Sequence, residues 1–352
     1  MKNTDRARLE KFLIQAWARR GFFMFLFWPV AVFFGALLWL RRVLFRIGFY
    51  RSTQLPLPLI VVGNIYIGGT GKTPMVIYLL QQLKQAGWNP GVISRAYGVK
   101  LEQPREVLPD SLASEVGDEP LLIQQRSQCP MMVGADRVAC AHQLIEKHPQ
   151  LDILISDDGL QHLAFKREVE IVMFDQRGVG NGQLLPAGPL REKLSADYPF
   201  AVLNSVPEEV RANLPRVLRE QAWPMRLQAT QCWQLQSPAQ HQALAEFKGK
   251  RILAAAGIGH PQRFFSMLAS HDFEMKTLAL PDHYAFEAST FAHLDAEIIL
   301  ITEKDAVKCR QIAQLQCDAR IWVVPVEAQL PPEFMAKLLA ALPRKKNGYT
   351  IT

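Results

Sequence analysis

The strongest constraint on the fold of this chain lies between residues 57 and 87. LPLIVVGNI, residues 57–65, is a short apolar, β-branched run with the character of a strand buried on both faces. It leads into Gly68-Gly69-Thr70-Gly71-Lys72-Thr73-Pro74 and then into MVIYLLQQLKQAG, whose apolar spacing is helical and stops at Gly87. Strand, glycine loop and helix in this order form the setting that a phosphate-binding loop requires. The glycines allow backbone N–H groups to close around phosphate oxygens, and the helix N-terminus adds its dipole. Lys72 can reach β- and γ-phosphates, and Thr73 can hold Mg²⁺. The bland alternative, a glycine turn followed by an incidental Lys-Thr, leaves this whole order unexplained.

One position departs from the usual G-x-x-x-x-G-K-[ST] pattern. Where its first glycine would stand, this chain has Tyr66. The core follows the G-G-x-G-K-T form of a variant loop class. That class carries a lysine just before the glycine pair, where this chain has Ile67.

A second strand-like run, LDILIS at 151–156, ends in Asp157-Asp158-Gly159-Leu160-Gln161-His162. An acidic residue at the carboxyl end of a strand is the usual Mg²⁺ partner of a phosphate loop. Strand alternation points the two carboxylates in different directions. One of Asp157 and Asp158 is therefore expected at the metal and the other among its neighbours.

Phe22–Leu40 is an unbroken run of 19 residues without a charge. As a helix it spans about 28 Å, close to the hydrocarbon thickness of a bilayer. Arg19 and Arg20 flank one end, Arg41 and Arg42 the other. Basic residues on both sides give the positive-inside rule no clean vote, so a full span and a helix lying in one leaflet both remain open. Pro29 can kink it. No small-residue cleavage site follows, which argues against a signal peptide. The formal charge of +7 arises here: residues 1–51 balance to +8 and the rest to −1. A neutral body argues against nucleic-acid binding, and a basic apolar segment points to anionic lipid. No obligate protein partner is evident. The five cysteines include no C-x-x-C pair and are odd in number, so reduced, buried thiols are expected.

Runs near 57–65, 91–94, 130–134, 151–157, 169–175 and 200–206 read as strands alternating with helices. Those near 250–258, 274–280, 297–302 and 321–325 read as a second, smaller lobe. The expected class is α/β, with a phosphate-loop doubly wound, mostly parallel sheet, a second α/β lobe and an N-terminal membrane helix. The expected divisions are 1–50, 51–225 and 226–352. From spacing alone, Asp118 after Gly117 reads first as a helix cap, and it is also available as the carboxylate that accepts a hydroxyl proton in phosphoryl transfer. Arg95, at a strand end, either meets phosphate or a lipid headgroup or sits in a plain surface turn. NGQLLPAGPLRE at 181–192 reads as a connector, Gly257-Ile258-Gly259 as a strand–turn–helix joint, and His283 as structural.

Taken together, the N-terminal apolar segment, VGNIYIGGTGKTP, SRAYG, VGDEP, GADR, SDDGLQH, NGQLLPAGPLRE, AGIGHPQRFF, PDHY and TEKDAVK resemble the tetraacyldisaccharide 4′-kinases. These are lipid A biosynthetic enzymes of Gram-negative bacteria. The resemblance implies transfer of the γ-phosphate of ATP to the 4′-hydroxyl of tetraacyldisaccharide 1-phosphate, with Mg²⁺. It implies action at the cytoplasmic face of the inner membrane and two α/β lobes around a cleft. It makes Asp118 catalytic with His283 as partner, and assigns Lys72 and Thr73 to the loop beside Gly68, Gly69, Thr70 and Gly71. It gives Asp157 and Asp158 as the acidic pair, and Arg95, Gln161, His162, Arg191 and Glu192 as substrate contacts. Ala96 departs from the family's S-R-G-Y-G, with no chemistry lost. Two other readings compete, a membrane-tethered ATPase switch and a non-catalytic nucleotide-binding regulator. Ile67 and the SDDGLQH cluster count against the first; Lys72 and Thr73 count against the second.

Overall fold

The computed structural model describes Trp17 and residues 21–343, apart from residues 97, 196 and 272. Tyr97, Arg19 and Arg20 therefore lie outside the described residues. The strands are β1 (Leu59–Gly63), β2 (Pro90–Ser94), β3 (Arg105–Glu106), β4 (Met131–Val133), β5 (Ile153–Asp157), β6 (Val169–Asp175), β7 (Ala201–Asn204) and β8 (Trp223–Gln228). They continue with β9 (Gln231–Gln234), β10 (His241–Ala243), β11 (Ile252–Ala256), β12 (Met275–Ala279), β13 (Ile298–Thr302), β14 (Ile321–Val324) and β15 (Glu327–Gln329). The main helices are α1 (Phe22–Arg46), α2 (Lys72–Gln85), α3 (Asp118–Ser127), α4 (Arg137–Lys147), α5 (Pro261–Ala269), α6 (Glu303–Cys309) and α7 (Pro332–Ala341).

The first sheet has nine strands in the order β15-β8-β7-β6-β1-β5-β2-β4-β3. Strands β4, β2, β5, β1, β6, β7 and β8 run parallel, and the outermost β3 and β15 pair antiparallel. β1 lies between β5 and β6, so the chain crosses from one side of it to the other between those two strands. That reversal opens a crevice at the carboxyl edge, where open α/β sheets bind ligands. The continuous apolar character of β1 has a direct cause. Ile60 and Val62 face α2 and α7, against Leu79, Leu80, Phe334 and Leu338. Leu59 and Val61 face α4, against Cys140, Ala141 and Leu144. Leu79 and Leu80 are fully buried, and each contributes about 1.5–3 kcal/mol by leaving water.

The second sheet has six strands in the order β10-β9-β14-β13-β11-β12, parallel from β14 to β12. The lobes do not divide at residue 226. β8 extends the first sheet to Gln228, and β15 and α7 return to it after the second sheet is complete. The polar stretch at 206–224 forms two short helices and the start of β8.

α1 passes through Pro29 unbroken. One stripe, Met24, Phe27, Ala31, Phe34 and Leu38, packs lengthwise on the first lobe with Leu184, Ala187 and Leu190. The opposite face leaves Phe22, Phe25, Phe33 and Trp39 between 65 and 79 % exposed. All five cysteines are free, four of them buried; Cys317 is exposed, contrary to expectation, because it follows a short surface helix.

Candidate active site

The glycine loop is set by its neighbours. Gly71 has φ +91°, and a Cβ there would fall 2.2 Å from Asn204 Nδ2. That amide, at the end of β7, donates to the carbonyl of Thr70 at 3.0 Å. Glycine is therefore required at 71 by both conformation and space. Lys72 opens α2, and its Nζ donates to Asn64 Oδ1 at 3.0 Å and lies 3.4 Å from Asp158 Oδ1. Asn64 is fully buried and donates through Nδ2 to the carbonyls of Tyr66 and Gly68. It holds the lysine and the loop together.

The segment around 184–191 is no mere connector. Ile67 N donates to Pro189 O at 3.0 Å and Arg191 N to Ile65 O at 2.7 Å, so it lies along the start of the loop. This brings Arg191 to 3.5 Å from Asp158. Glu192, buried, accepts from Gln161 Nε2 at 2.8 Å and pairs with Arg42 of α1. Gln161 also donates to the carbonyl of Asn64 at 3.1 Å. Arg137, buried at the start of α4, faces Asp157 and Asp158, and burial lowers its pKa. Arg95 is exposed just after β2, and its charge is felt by Arg137. His162 lies 5.0 Å from the ring of Phe165. Burial, with Arg137 and Arg41 nearby, pushes it down to about 4, so it stays neutral.

The two adjacent carboxylates differ. Burial would raise Asp158, but Lys72, Arg191 and Arg137 outweigh it and hold the group below its usual value. Burial and the charges of Glu119 and Asp158 push Asp157 up to about 6. Asp157 Oδ2 accepts from Ser94 Oγ at 3.1 Å, whereas Oδ1 has no hydrogen-bond partner among the described residues. A buried carboxylate oxygen left in this state, with the Thr73 hydroxyl in the first turn of α2, fits a hard divalent cation such as Mg²⁺. The set is an open one, as suits an ion that shares its coordination with phosphate and water: among the described residues no group of three or more His, Cys, Asp or Glu surrounds a metal position.

Asp118 does not cap its helix: Gly117 holds the cap position, with φ +92° and no side chain. The carboxylate turns toward the second lobe instead. Its Oδ2 is 2.9 Å from Nδ1 of His283, which follows β12, and Lys308 Nζ lies 3.9 Å away. Its Oδ1 accepts the Glu119 N–H at 2.9 Å. Burial would raise Asp118, but the hydrogen bond from His283 and the charges of Lys304 and Lys308 lower it below its usual range. His283 is raised, first by that hydrogen bond. Together they form a hydrogen-bonded pair between the lobes, an ion pair whenever His283 is protonated. His283 itself stands at φ +57°, a conformation uncommon for a side-chain-bearing residue. Lys304 of α6 adds a second bridge, 2.9 Å from Glu119 and 3.2 Å from Asp282. Glu303 pairs with Arg126 of α3 at 2.5 Å. The charged TEKD segment thus reaches across the cleft, while Thr302 also caps α6 through Asp305.

Asn64, Glu119, Arg137 and Lys304 are site residues to which sequence reasoning gave no specific role. A buried asparagine closing an apolar strand was the available signal for Asn64. Lys304 carried no such signal, because its partner is 185 residues away.

The family model described as Tetraacyldisaccharide-1-P 4′-kinase matches residues 23–343. The tetraacyldisaccharide 4′-kinase of Janthinobacterium sp. (strain Marseille) is 52 % identical over 344 residues, covering 96 % of this chain and 97 % of that one. That of Herminiimonas arsenicoxydans is 49 % identical over 354 residues, covering 99 % and 98 %. Among solved structures, the "apo" form of LpxK from Aquifex aeolicus in complex with ATP superposes with a TM-score of 0.75 at 25 % identity, covering 91 % of this chain and 99 % of that one. Identity at this level over nearly the whole length settles the family: this chain belongs to the tetraacyldisaccharide 4′-kinases.

Proposed function

We propose that the chain transfers the γ-phosphoryl group of ATP to the 4′-hydroxyl of a tetraacyldisaccharide 1-phosphate, giving lipid IVA in lipid A biosynthesis. The observation that carries this reading is the Asp118–His283 pair, closed at 2.9 Å between two lobes beside a glycine loop. ATP as donor is supported by the nucleotide in the Aquifex aeolicus structure and by the loop itself.

The backbone N–H groups of Gly68–Thr73 and the Lys72 ammonium neutralise phosphate charge. In the nucleotide-bound enzyme Lys72 exchanges Asn64 and Asp158 for phosphate oxygens. Asp157 and Thr73 would hold Mg²⁺, which supplies charge neutralisation on the phosphates. Asp158 holds Lys72 until nucleotide arrives and stays with Arg191 afterwards. Asp118 accepts the acceptor hydroxyl's proton at Oδ1, which keeps a lone pair beyond the Glu119 N–H. His283 Nδ1–H fixes Oδ2 and so orients the carboxylate. Proton removal is a small part of a loose phosphoryl transfer, so positioning carries most of the rate.

The membrane reading rests on α1. Its apolar stripe is used by the first lobe along most of its length, and a helix docked in this way cannot also cross the bilayer freely. We assign it to the plane of one leaflet, its exposed aromatic face in lipid and Arg41, Arg42 and Arg46 near anionic headgroups. We take the cleft to lie at the cytoplasmic face of the inner membrane, the side that the family resemblance implies. It suits a four-chain substrate, since each buried CH₂ is worth ~0.8 kcal/mol and such a lipid stays in the bilayer.

The test is transfer of label from γ-labelled ATP to purified tetraacyldisaccharide 1-phosphate in detergent. Labelled lipid is expected, and chelation of divalent cation should stop it. Release of free phosphate with no labelled lipid would favour the ATPase switch instead.

A further inference from the structure

Tyr66 and Arg177 sit at the glycine loop, yet the transfer chemistry gives neither of them a task. Tyr66 stands where the usual loop begins with glycine. Arg177 lies two residues beyond the end of β6, and its guanidinium carbon is 4.4 Å from the centre of the Tyr66 ring. Nη1 donates to the carbonyl of Ile67 at 3.2 Å, and Nη2 to that of Gly69 at 2.9 Å. Nε donates to both oxygens of Asp175 at 3.0 Å, and Nη2 reaches Oδ2 at 2.6 Å. Asp175 is buried at the edge of the first sheet. Arg263 of α5, from the second lobe, forms an ion pair with the same Oδ2 at 2.8 Å. One carboxylate therefore holds a guanidinium from each lobe, and one of those guanidiniums holds the loop.

The consequence follows from peptide geometry. In a trans peptide the carbonyl and the next N–H point in opposite directions. A guanidinium that takes the carbonyls of Ile67 and Gly69 turns the N–H groups of Gly68 and Thr70 to the other side of the loop. The planar fork suits two carbonyls and a carboxylate at once, and the Tyr66 face supports it from behind by a cation–π contact. Lysine, a point charge, cannot bridge all three.

We propose that Arg177 is a positioning residue for the nucleotide phosphates. Backed by Asp175, it holds the carbonyl side of the glycine loop so that its N–H groups face phosphate, and through Arg263 it ties that setting to the seating of the second lobe. Glycine is dispensable at 66 because the aromatic ring there completes the clamp. The proposal rests on ATP being the phosphoryl donor.

The experiment is calorimetric ATP binding to the full chain, with steady-state KM for ATP and for the lipid acceptor. Wild type, Arg177→Lys and Arg263→Gln are compared. Arg177→Lys should weaken ATP binding and raise KM for ATP by about tenfold or more, the loss of two charge-assisted bonds. KM for lipid should stay within about twofold. Arg263→Gln should weaken ATP binding in the same sense by about fivefold, the size of a modest coupling between sites. A folded Arg177→Lys enzyme with unchanged ATP affinity overturns the proposal. So does an equal rise in both KM values, which would mark a merely structural role. If Arg177→Lys does not fold, unchanged ATP affinity in Arg263→Gln overturns it. A wild type that binds no ATP would overturn the donor reading and this proposal with it. That failure is distinct from one confined to the variants.

Discussion

The two sheets meet carboxyl edge to carboxyl edge, but the edges are built differently. The first presents main chain: a glycine loop, an asparagine holding two of its carbonyls, and a pair of carboxylates at the end of a strand. The second presents the tips of long side chains: His283, Lys304, Glu303 and Arg263 each reach a partner on the first lobe. Main chain held in a buried sheet is preorganised before ligand arrives. Side-chain bridges between lobes depend on how the two lobes are seated. We assign nucleotide binding to the first edge and readiness for transfer to both.

The largest expected effect separates these tasks. Asp118→Asn should lower kcat by about 10²–10⁴-fold, while ATP affinity measured calorimetrically stays near wild type. Lys72→Ala should instead weaken ATP binding and transfer together, since the ammonium serves ground and transition states alike. If the two variants behaved the same, the division of labour would be wrong.

Next comes His283→Gln. Removing this partner leaves burial as the chief influence on Asp118, so its pKa must rise. In wild type the acid limb of kcat/KM is expected below the ordinary carboxylate range; in the variant it should move to higher pH. A pH–rate profile checks the direction. The same pair makes a smaller, pH-dependent contribution to stability. Asp118 is held below its usual value, so its share is present above about pH 4 and lost as pH falls through the lowered pKa. His283 is raised, so its share is present below about pH 6.5 and lost as pH rises through the raised pKa. The gap in thermal midpoint between wild type and His283→Gln should therefore be widest between those limits.

Weaker still are changes on the surface and in the backbone. Phe33→Ser with Trp39→Ser should reduce binding to anionic vesicles by about tenfold or more, without lowering the melting temperature, because both side chains are exposed. Ala96→Gly should raise stability by about 1 kcal/mol at most. Ala96 has φ +54°, a left-handed conformation that penalises its Cβ. The S-R-G-Y-G pattern has glycine here for that reason. Chemical denaturation of the two forms would read the difference.

The sequence was most legible where chemistry and local structure coincide. β1, the loop and α2 could be read directly because a buried strand, a glycine turn and a helix each leave a local pattern. Asp157 and Asp158 were readable as a pair, but not their division. That is set by Lys72, Arg191 and Ser94, which arrive from three other segments. The bridges between lobes were nearly invisible for the same reason: a lysine after a strand looks alike whether it meets a carboxylate 185 residues away or only water. His283 could be singled out only through the family resemblance, since spacing gave it an ordinary structural reading; at Asp118 spacing favoured a cap and left a proton acceptor as the alternative. The return of β15 and α7 to the first sheet was missed because short, half-exposed edge strands and a terminal amphipathic helix carry no record of the sheet they join.

The most direct test of the account is a double-mutant cycle on Asp118→Asn and His283→Gln, reading kcat for label transfer from ATP to lipid together with ATP affinity. If the two groups act as one unit across the cleft, the double variant should be no slower than Asp118→Asn alone, with ATP affinity unchanged throughout. Additive losses in kcat, or a matching loss of ATP binding, would contradict the assignment of this pair to the acceptor side of the transfer.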